Sequence, residues 1–192
     1  LAILALRNAG LRRIAYVDLD DFKIVNDTLG HPAGDALLKD VAEHLQSELP
    51  DALIARLGGD EFAILIDDLD DTQSLGGVAE NLTRCFDRTF RLQGQAAECS
   101  ASIGIAIAPG DGTDGVTLMK HADLALYRAK REGKSTYHFF EQSLDEEARL
   151  RRQTELDMRT GLKNGDFELN FQPLYLIAEN RVIGFEALIR WN

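Results

Sequence analysis

The sequence predicts an α+β domain, with an antiparallel-rich sheet and helices packed on it. Three observations carry that prediction. Short apolar runs rich in β-branched residues alternate with segments whose apolar residues recur every three or four positions. A double glycine sits between two of the apolar runs, the mark of a tight hairpin, and hairpins join antiparallel strands. Apolar residues make up 45% of the 192, enough for a real core, and global disorder is excluded.

In chain order, Ile14 to Leu19 reads as a buried strand. A helical segment follows from about Phe22 and is broken near Gly30-His-Pro-Ala-Gly34. Asp35 is then expected to cap an amphipathic helix whose apolar residues are Leu37, Leu38, Val41, Ala42 and Leu45. Leu53 to Leu57 and Phe62 to Ile66 read as the hairpin strands, with Gly58-Gly59-Asp60-Glu61 between them. Asp67 to Asp71 reads as a solvated acidic loop without the spacing of a calcium-binding loop. Val78 to Phe90 reads as a long helix, and Glu98 to Ala108 as a strand with Ile103, Ile105 and Ile107 on one face. Leu118 to Arg131 is a further helix, ending at Gly133 with Lys130, Arg131 and Lys134 around its C-terminus. Thr136 to Phe140 is the last strand of this part. The order β-α-β-β-α-β matches a ferredoxin-like layout, with the helices expected on one face of the sheet.

Composition shifts after Phe140. Residues 1–140 are expected to form the folded domain and 141–165 a charged helical connector. Phe167 to Leu176 and Arg181 to Ile189 read as two strands within 166–192, too few residues to close a core, and so the start of another domain. The chain opens without methionine and stops at Asn192 straight after Trp191, and both ends read as cuts.

The formal charge is −11, from 32 acidic and 21 basic residues. Such a surface repels a phosphate backbone, so nucleic-acid binding is not expected. An anionic ligand needs a local device: a metal ion, placed lysines, or backbone N–H groups. Cys85 and Cys99 form neither a disulfide framework nor a CxxC pair, and read as reduced thiols of a cytoplasmic domain. No apolar run is long enough to span a bilayer, and Arg7 interrupts the apolar start without a cleavage-like site. Membrane segments in a longer parent remain compatible with this reading.

Three acidic features fall at element ends: Asp18-Leu-Asp-Asp-Phe-Lys23, Gly58-Gly-Asp-Glu61 and Asp35. In a ferredoxin-like sheet the first strand neighbours the hairpin, so Asp18 and Asp60 are expected to converge. Converging carboxylates repel unless a cation lies between them, and hard oxygen donors suit magnesium or calcium. A turn without side chains lets a phosphate or base approach the backbone. Each feature has a plainer reading too. The glycine pair can simply make a tight turn, Asp35 can be only a cap, Asn26 a turn residue, and Lys130 and Lys134 can complement a helix dipole.

Arg56-Leu-Gly-Gly-Asp-Glu-Phe62 resembles the signature of the GGDEF family, the diguanylate cyclases. Asp18-Leu-Asp-Asp-Phe-Lys-Ile-Val-Asn-Asp27, Gly30-His-Pro-Ala-Gly-Asp35, Ser102-Ile-Gly-Ile-Ala106 and Ala122-Asp-Leu-Ala-Leu-Tyr-Arg-Ala-Lys130 with Gly133-Lys134 resemble its other segments, in family order. The resemblance implies a nucleotidyl cyclase, polymerase-palm-like fold and the condensation of two GTP into cyclic di-GMP with release of pyrophosphate. It implies magnesium, with manganese as a substitute, held by Asp18, Asp60 and the carbonyl of Leu19. It implies that Asn26 and Asp35 read guanine, and that Lys23, Lys130 and Lys134 hold the triphosphate. Phe22, Gly58 and Gly59 fall in the nucleotide-binding loops, and Asp60 and Glu61 carry the catalytic carboxylates. His31 belongs to the family's Gly-His pair and reads as structural.

Each family domain holds one GTP, so the resemblance also implies a homodimer for catalysis, beside an upstream sensor and a downstream domain in the parent protein. The family's Arg-x-x-Asp product-inhibition site falls here on Leu49-Pro-Asp-Ala52, which lacks both charged residues, so tight inhibition of that kind is not expected. The family's usual opening, Asp-x-Leu-Thr-Gly-Leu-x-Asn-Arg, is absent, and Ser135 stands where asparagine commonly follows Gly-Lys. Phe171-Gln-Pro173 and Gly184-Phe-Glu-Ala-Leu-Ile-Arg-Trp191 resemble the opening of an EAL phosphodiesterase domain, with Glu186 in a metal-ligand position. Two functions follow: a diguanylate cyclase, or a GTP-binding regulatory domain that controls a downstream EAL phosphodiesterase.

Overall fold

The structure is a computed structural model that describes residues 13–66, 75–86, 88–92 and 95–191. The acidic run at 67–71 lies outside the described residues. The chain divides into two compact units, Leu1–Asp145 and Glu146–Asn192.

The first unit is built on a five-stranded sheet of β1 (Arg13–Leu19), β2 (Leu53–Gly58), β3 (Glu61–Ile66), β6 (Ala101–Ile107) and β7 (Tyr137–Phe139), in the order β2-β3-β1-β6-β7. Strand β1 runs antiparallel to both neighbours, from Arg13↔Ile66 to Asp18↔Glu61 on one side and from Arg13↔Ile107 to Leu19↔Ala101 on the other. Only β7 joins in parallel, against β6. This is the predicted α+β, antiparallel-rich fold. A separate two-stranded ribbon pairs β4 (Thr89–Leu92) with β5 (Gln95–Glu98).

The helices are α1 (Phe22–Leu29), α2 (His31–Glu48), α3 (Leu75–Arg84), α4 (Gly115–Arg131) and α5 (Gln142–Asn164). They do not all cover one face, as the ferredoxin-like reading expected. Ala15, Val17 and Leu19 of β1, with Phe62, Ile64, Ile103 and Ile105, pack with residues of α1, α2 and α3, including Leu37, Val41 and Leu82. Ile14 and Ala106 face the other way and pack with Leu118, Ala122 and Ala125 of α4, and with Phe140 and Leu144. The near-continuous apolar run of β1 has this cause, since a strand covered on both faces does not alternate. Helix α4 can lie on β6 because Gly104 has no side chain: a Cβ there would sit 2.0 Å from the Ala122 carbonyl oxygen.

Three element boundaries differ from the sequence reading. Helix α2 begins at His31, with Gly30 as its N-cap and Pro32 in its first turn, so Asp35 lies inside the helix and is not its cap. The helix predicted over 78–90 ends at Arg84, and Phe90 is buried in β4 instead. The strand predicted over 98–108 is interrupted at Cys99–Ser100, which separates β5 from β6. The unassigned Asp114 caps α4, accepting from the Val116 and Thr117 backbone N–H groups at 3.0 Å each.

In the second unit, β8 (Phe167–Leu176) pairs antiparallel with β9 (Arg181–Trp191) across a short 3-10 turn at Ile177–Glu179. Phe167 and Trp191 stack with centroids 5.5 Å apart. Leu169, Phe171, Tyr175, Phe185 and Ile189 are exposed. A two-stranded ribbon has no second layer of its own to bury them against.

Candidate functional site

The site forms where β1 ends. Asp18 is the last β1 residue paired with β3, directly opposite Glu61, and the next amide, Leu19 N–H, donates to the Asp60 carbonyl at 3.2 Å. That bond ties the hairpin tip to the end of β1, near enough for the charges of Asp60 and Glu61 to act on Asp18. Asp18 is only 8% exposed. Burial pushes its carboxyl above the ordinary value, Lys130 pulls it back down, and the charges of Asp60 and Glu61 push it up further. The Lys130 ammonium, from the last turn of α4, lies 2.6 Å from Asp18 Oδ2. Lys134, just past α4, donates to Asp21 Oδ1 at 2.8 Å, and that bond raises the Lys134 ammonium.

The turn itself separates the two glycines. Gly59 has φ +54, a left-handed conformation that disfavours other residues. Gly58 has no such φ, and a Cβ added there meets nothing within 4 Å. Neither backbone nor packing demands glycine at 58. Arg56 holds the turn from beneath, with Nε and Nη2 donating to the Gly59 carbonyl at 2.9 and 2.7 Å.

The residues expected to read a base lie on the α1–α2 pair. Phe22 is buried, Asn26 half-buried, and Lys23 and Asp35 exposed. Asn26 and the start of α2 are in close contact: a Cβ on Gly34 would fall 2.0 Å from Asn26 Oδ1 and 3.1 Å from Phe22 Cζ. Asp35 is the next residue, and it lines a groove of about 360 Å³ with Leu38, Ile54, Arg56 and Phe62. Because α2 is capped by Gly30, capping does not account for Asp35.

Several residues of this region escaped the sequence reading. Asp20, 6% exposed, accepts from Ser102 Oγ at 2.7 Å, Ser100 Oγ at 2.9 Å and the Ser135 amide at 2.9 Å. It joins the β1–α1 turn to β6 and to the loop after α4. Tyr16, two residues before Asp18 on the same strand face, is hydrogen-bonded to Glu61. Its hydroxyl is pushed up to about 12, first by burial and then by that carboxylate. Asp123 on α4 is raised by loss of solvation and then by the charge of Glu61. Asp20 and Asp123 had a sequence signal, their places inside the Asp18–Asp21 run and the Ala122–Lys130 segment; Tyr16 had none. The larger cleft, about 680 Å³ between Thr83, Arg88, Cys99 and Ser135, also reaches Asp20 and Asp21 but none of the residues expected to bind metal or nucleotide. Burial pushes the Cys99 thiol there to about 12, so it is un-ionised.

The donors at the end of β1 are hard oxygens, and among the described residues no group of three or more His, Cys, Asp or Glu is placed to hold a metal ion. Two carboxylates and a backbone carbonyl suit magnesium, which usually completes its shell with water and phosphate oxygens. The excess negative charge beside Asp18 fits the same cation.

A family model described as "Diguanylate cyclase, GGDEF domain" matches residues 5–136. The chain belongs to the GGDEF family. The signaling protein YkoW of Bacillus subtilis (strain 168) is 41% identical over 179 residues, which are 92% of this chain and 22% of YkoW. The bifunctional diguanylate cyclase/cyclic di-GMP phosphodiesterase MucR of Pseudomonas aeruginosa is 39% identical over 189 residues, 98% of this chain and 27% of MucR. This GGDEF chain thus spans about a quarter of the length of these curated relatives. Among solved structures, the GGDEF domain of TpbB from Pseudomonas aeruginosa superposes with a TM-score of 0.71 at 33% identity, covering 77% of this chain and 90% of that one. No helix among the described residues is long and apolar enough to cross a membrane.

Proposed function

We propose that this GGDEF domain is a diguanylate cyclase that condenses two GTP into cyclic di-GMP. The observation that carries the reading is Gly58: a glycine that neither its own backbone nor any neighbour requires, at the hairpin tip whose Asp60 and Glu61 charges act on the Asp18–Lys130 pair. A side chain there would obstruct a ligand, not the fold.

In this reading Asp18, Asp60 and the Leu19 carbonyl hold magnesium, or manganese in its place. The ion neutralises phosphate charge and stabilises the leaving pyrophosphate. Asn26 and Asp35 read the guanine edge; a carboxylate accepting from the base N1–H and amino group disfavours adenine. Lys23, Lys130 and Lys134 hold the triphosphate, and Phe22 fixes the α1 end of the nucleotide loop. The 3′-oxygen of one GTP forms a bond to the α-phosphorus of the other while the bond to pyrophosphate breaks. A second such step closes the ring. In the same reading Glu61 assists the metal or takes up the proton of the attacking hydroxyl. Each domain holds one nucleotide, so two domains meet face to face, and positioning supplies most of the rate. Residues 166–192 read as the first strands of an EAL domain, with Glu186 directly opposite Gln172 in the ribbon.

The decisive measurement incubates the protein carrying this chain with GTP and magnesium and follows cyclic di-GMP by chromatography, at concentrations that support dimers. Product is expected. GTP binding without product sinks the cyclase reading and leaves a GTP-sensing domain.

A further inference from the structure

We propose that Lys130 makes the Asp18 site select a cation–nucleotide complex over a free divalent cation. The inference rests on the GTP–magnesium reading above. It starts from a different observation: two of the three lysines expected to hold phosphate are already held by carboxylates of the Asp18–Asp21 run. Lys130 Nζ lies 2.6 Å from Asp18 Oδ2, and Lys134 Nζ lies 2.8 Å from Asp21 Oδ1.

The two pairs are unequal. Lys134 and Asp21 are both well exposed, and solvent screens such a pair until it contributes little. The Asp18 side chain is 11% exposed, and Lys130 is its near partner in a nest of like charges formed by Asp60 and Glu61. Lys130 thus acts as an internal monovalent cation. A free divalent ion reaching Asp18 must break a charge-assisted bond to a buried carboxylate and leave an ammonium unpaired beside a double positive charge. A triphosphate that arrives with the ion removes both costs, because its anionic oxygens receive Lys130 and Lys134 as their carboxylates are vacated. Metal affinity is therefore low alone and high in company, and by linkage metal and nucleotide strengthen each other by the same factor. The acidic site avoids filling with free cation that lacks its substrate.

The test titrates manganese, read by electron paramagnetic resonance, into the intact chain without nucleotide. Lys130→Met keeps the stem and removes the charge. It is expected to bind free manganese at least about tenfold more tightly than the unsubstituted chain, a difference of about 1.4 kcal/mol. Lys130→Arg keeps a cation there and is expected to bind as weakly as the unsubstituted chain. Lys134→Met vacates only Asp21 and is expected to change free-manganese affinity far less. Magnesium–GTP affinity, measured by calorimetry, is expected to fall in Lys130→Met. If Lys130→Met does not fold, judged by circular dichroism, Lys130→Gln carries the comparison. Unchanged or weaker manganese binding in the folded, uncharged variant overturns the proposal, as does an equal gain in Lys130→Arg. If the unsubstituted chain binds no magnesium–GTP, the proposed function falls and the selection with it. If it binds magnesium–GTP while the manganese affinities match, the selection alone falls.

Discussion

The two faces of the central sheet use the same strands for different ends. On the face toward α1, α2 and α3, residues 15, 17, 19, 62, 64, 103 and 105 are apolar to the very end of each strand. On the α4 face the apolar packing stops partway. Ile14 and Ala106 pack on α4, but one or two positions further along come Tyr16, Asp18, Glu61 and Ser102. Alternation makes this possible: in a period-2 element, one strand can be core on one side and site on the other. One face holds the domain together without outside help. The other gathers negative charge that Lys130, or a bound cation, offsets. Stability and binding are therefore expected to respond to substitutions on opposite faces in different proportions.

The largest effect is expected at Gly104, where the α4 face is most tightly closed. An added Cβ would lie 2.0 Å from the Ala122 oxygen and 2.2 Å from the Leu126 nitrogen, both backbone atoms that cannot swing aside. Gly104→Ala is expected to cost about 3 kcal/mol or more. Its neighbour Ile103, fully buried on the opposite face, gives the contrast: Ile103→Val is expected to cost only about 1 kcal/mol, the usual value for one lost methyl group. Urea denaturation of both variants measures the difference. Similar costs would show that α4 shifts to accommodate the extra carbon.

A smaller effect on stability, joined to one on binding, is expected at Asp20. Replacing it with alanine leaves the Ser100 and Ser102 hydroxyls and the Ser135 amide without their acceptor. The expected cost is about 2 kcal/mol, since buried donors lose a charged partner. Ser135 follows Lys134 directly, and both have positive φ in a turn that the Asp20 bond helps to hold. Asp20→Ala is therefore expected to weaken GTP binding without touching the ligand, seen together with faster hydrogen exchange at the Ser135 amide. Full GTP affinity in a destabilised variant would confine Asp20 to the fold.

What was legible in the sequence was local, or came from resemblance. The Gly58–Asp60 turn announces itself because turn chemistry is a property of adjacent residues. The ordered segments from Asp18 to Lys134 gave the family, and apolar periodicity independently gave the α+β order. Phe90 shows where periodicity misleads. Val78, Leu82, Phe86 and Phe90 recur every four positions, which suggests one helix. All four are buried in the same core, but Phe90 enters it from β4. The pattern recorded burial rather than backbone. Helix α2 was misjudged for another reason: Asp35 is a good cap residue, while Gly30 caps and Pro32 starts the helix by backbone preference alone. The contacts of Asp20 with Ser102 and Ser135 span 82 and 115 residues and follow only from sheet register.

Tyr16 is where the two faces are compared most finely, because it stands at the border between core and site on β1. It lies diagonal to Glu61 across the β1–β3 pair, with Asp18 opposite Glu61 and Tyr16 opposite Ala63. Its hydroxyl keeps its proton to about pH 12, so it donates to Glu61 over the whole working range. Tyr16→Phe removes that one donor and preserves the ring. Fold stability is expected to change by no more than about 1 kcal/mol, since the hydrogen bond is partly solvated and the packing is unaltered. The ring-preserving change is also expected to leave KM for GTP near its original value, because it leaves the glycine turn and the lysines unaltered. The turnover number is expected to fall several-fold, since Glu61 loses the group that fixes its carboxylate and swings toward solvent, away from the repulsion of Asp18 and Asp123. A melting curve with steady-state kinetics of cyclic di-GMP formation checks all three quantities. A fall in stability without a fall in turnover would move Tyr16 from the site to the core.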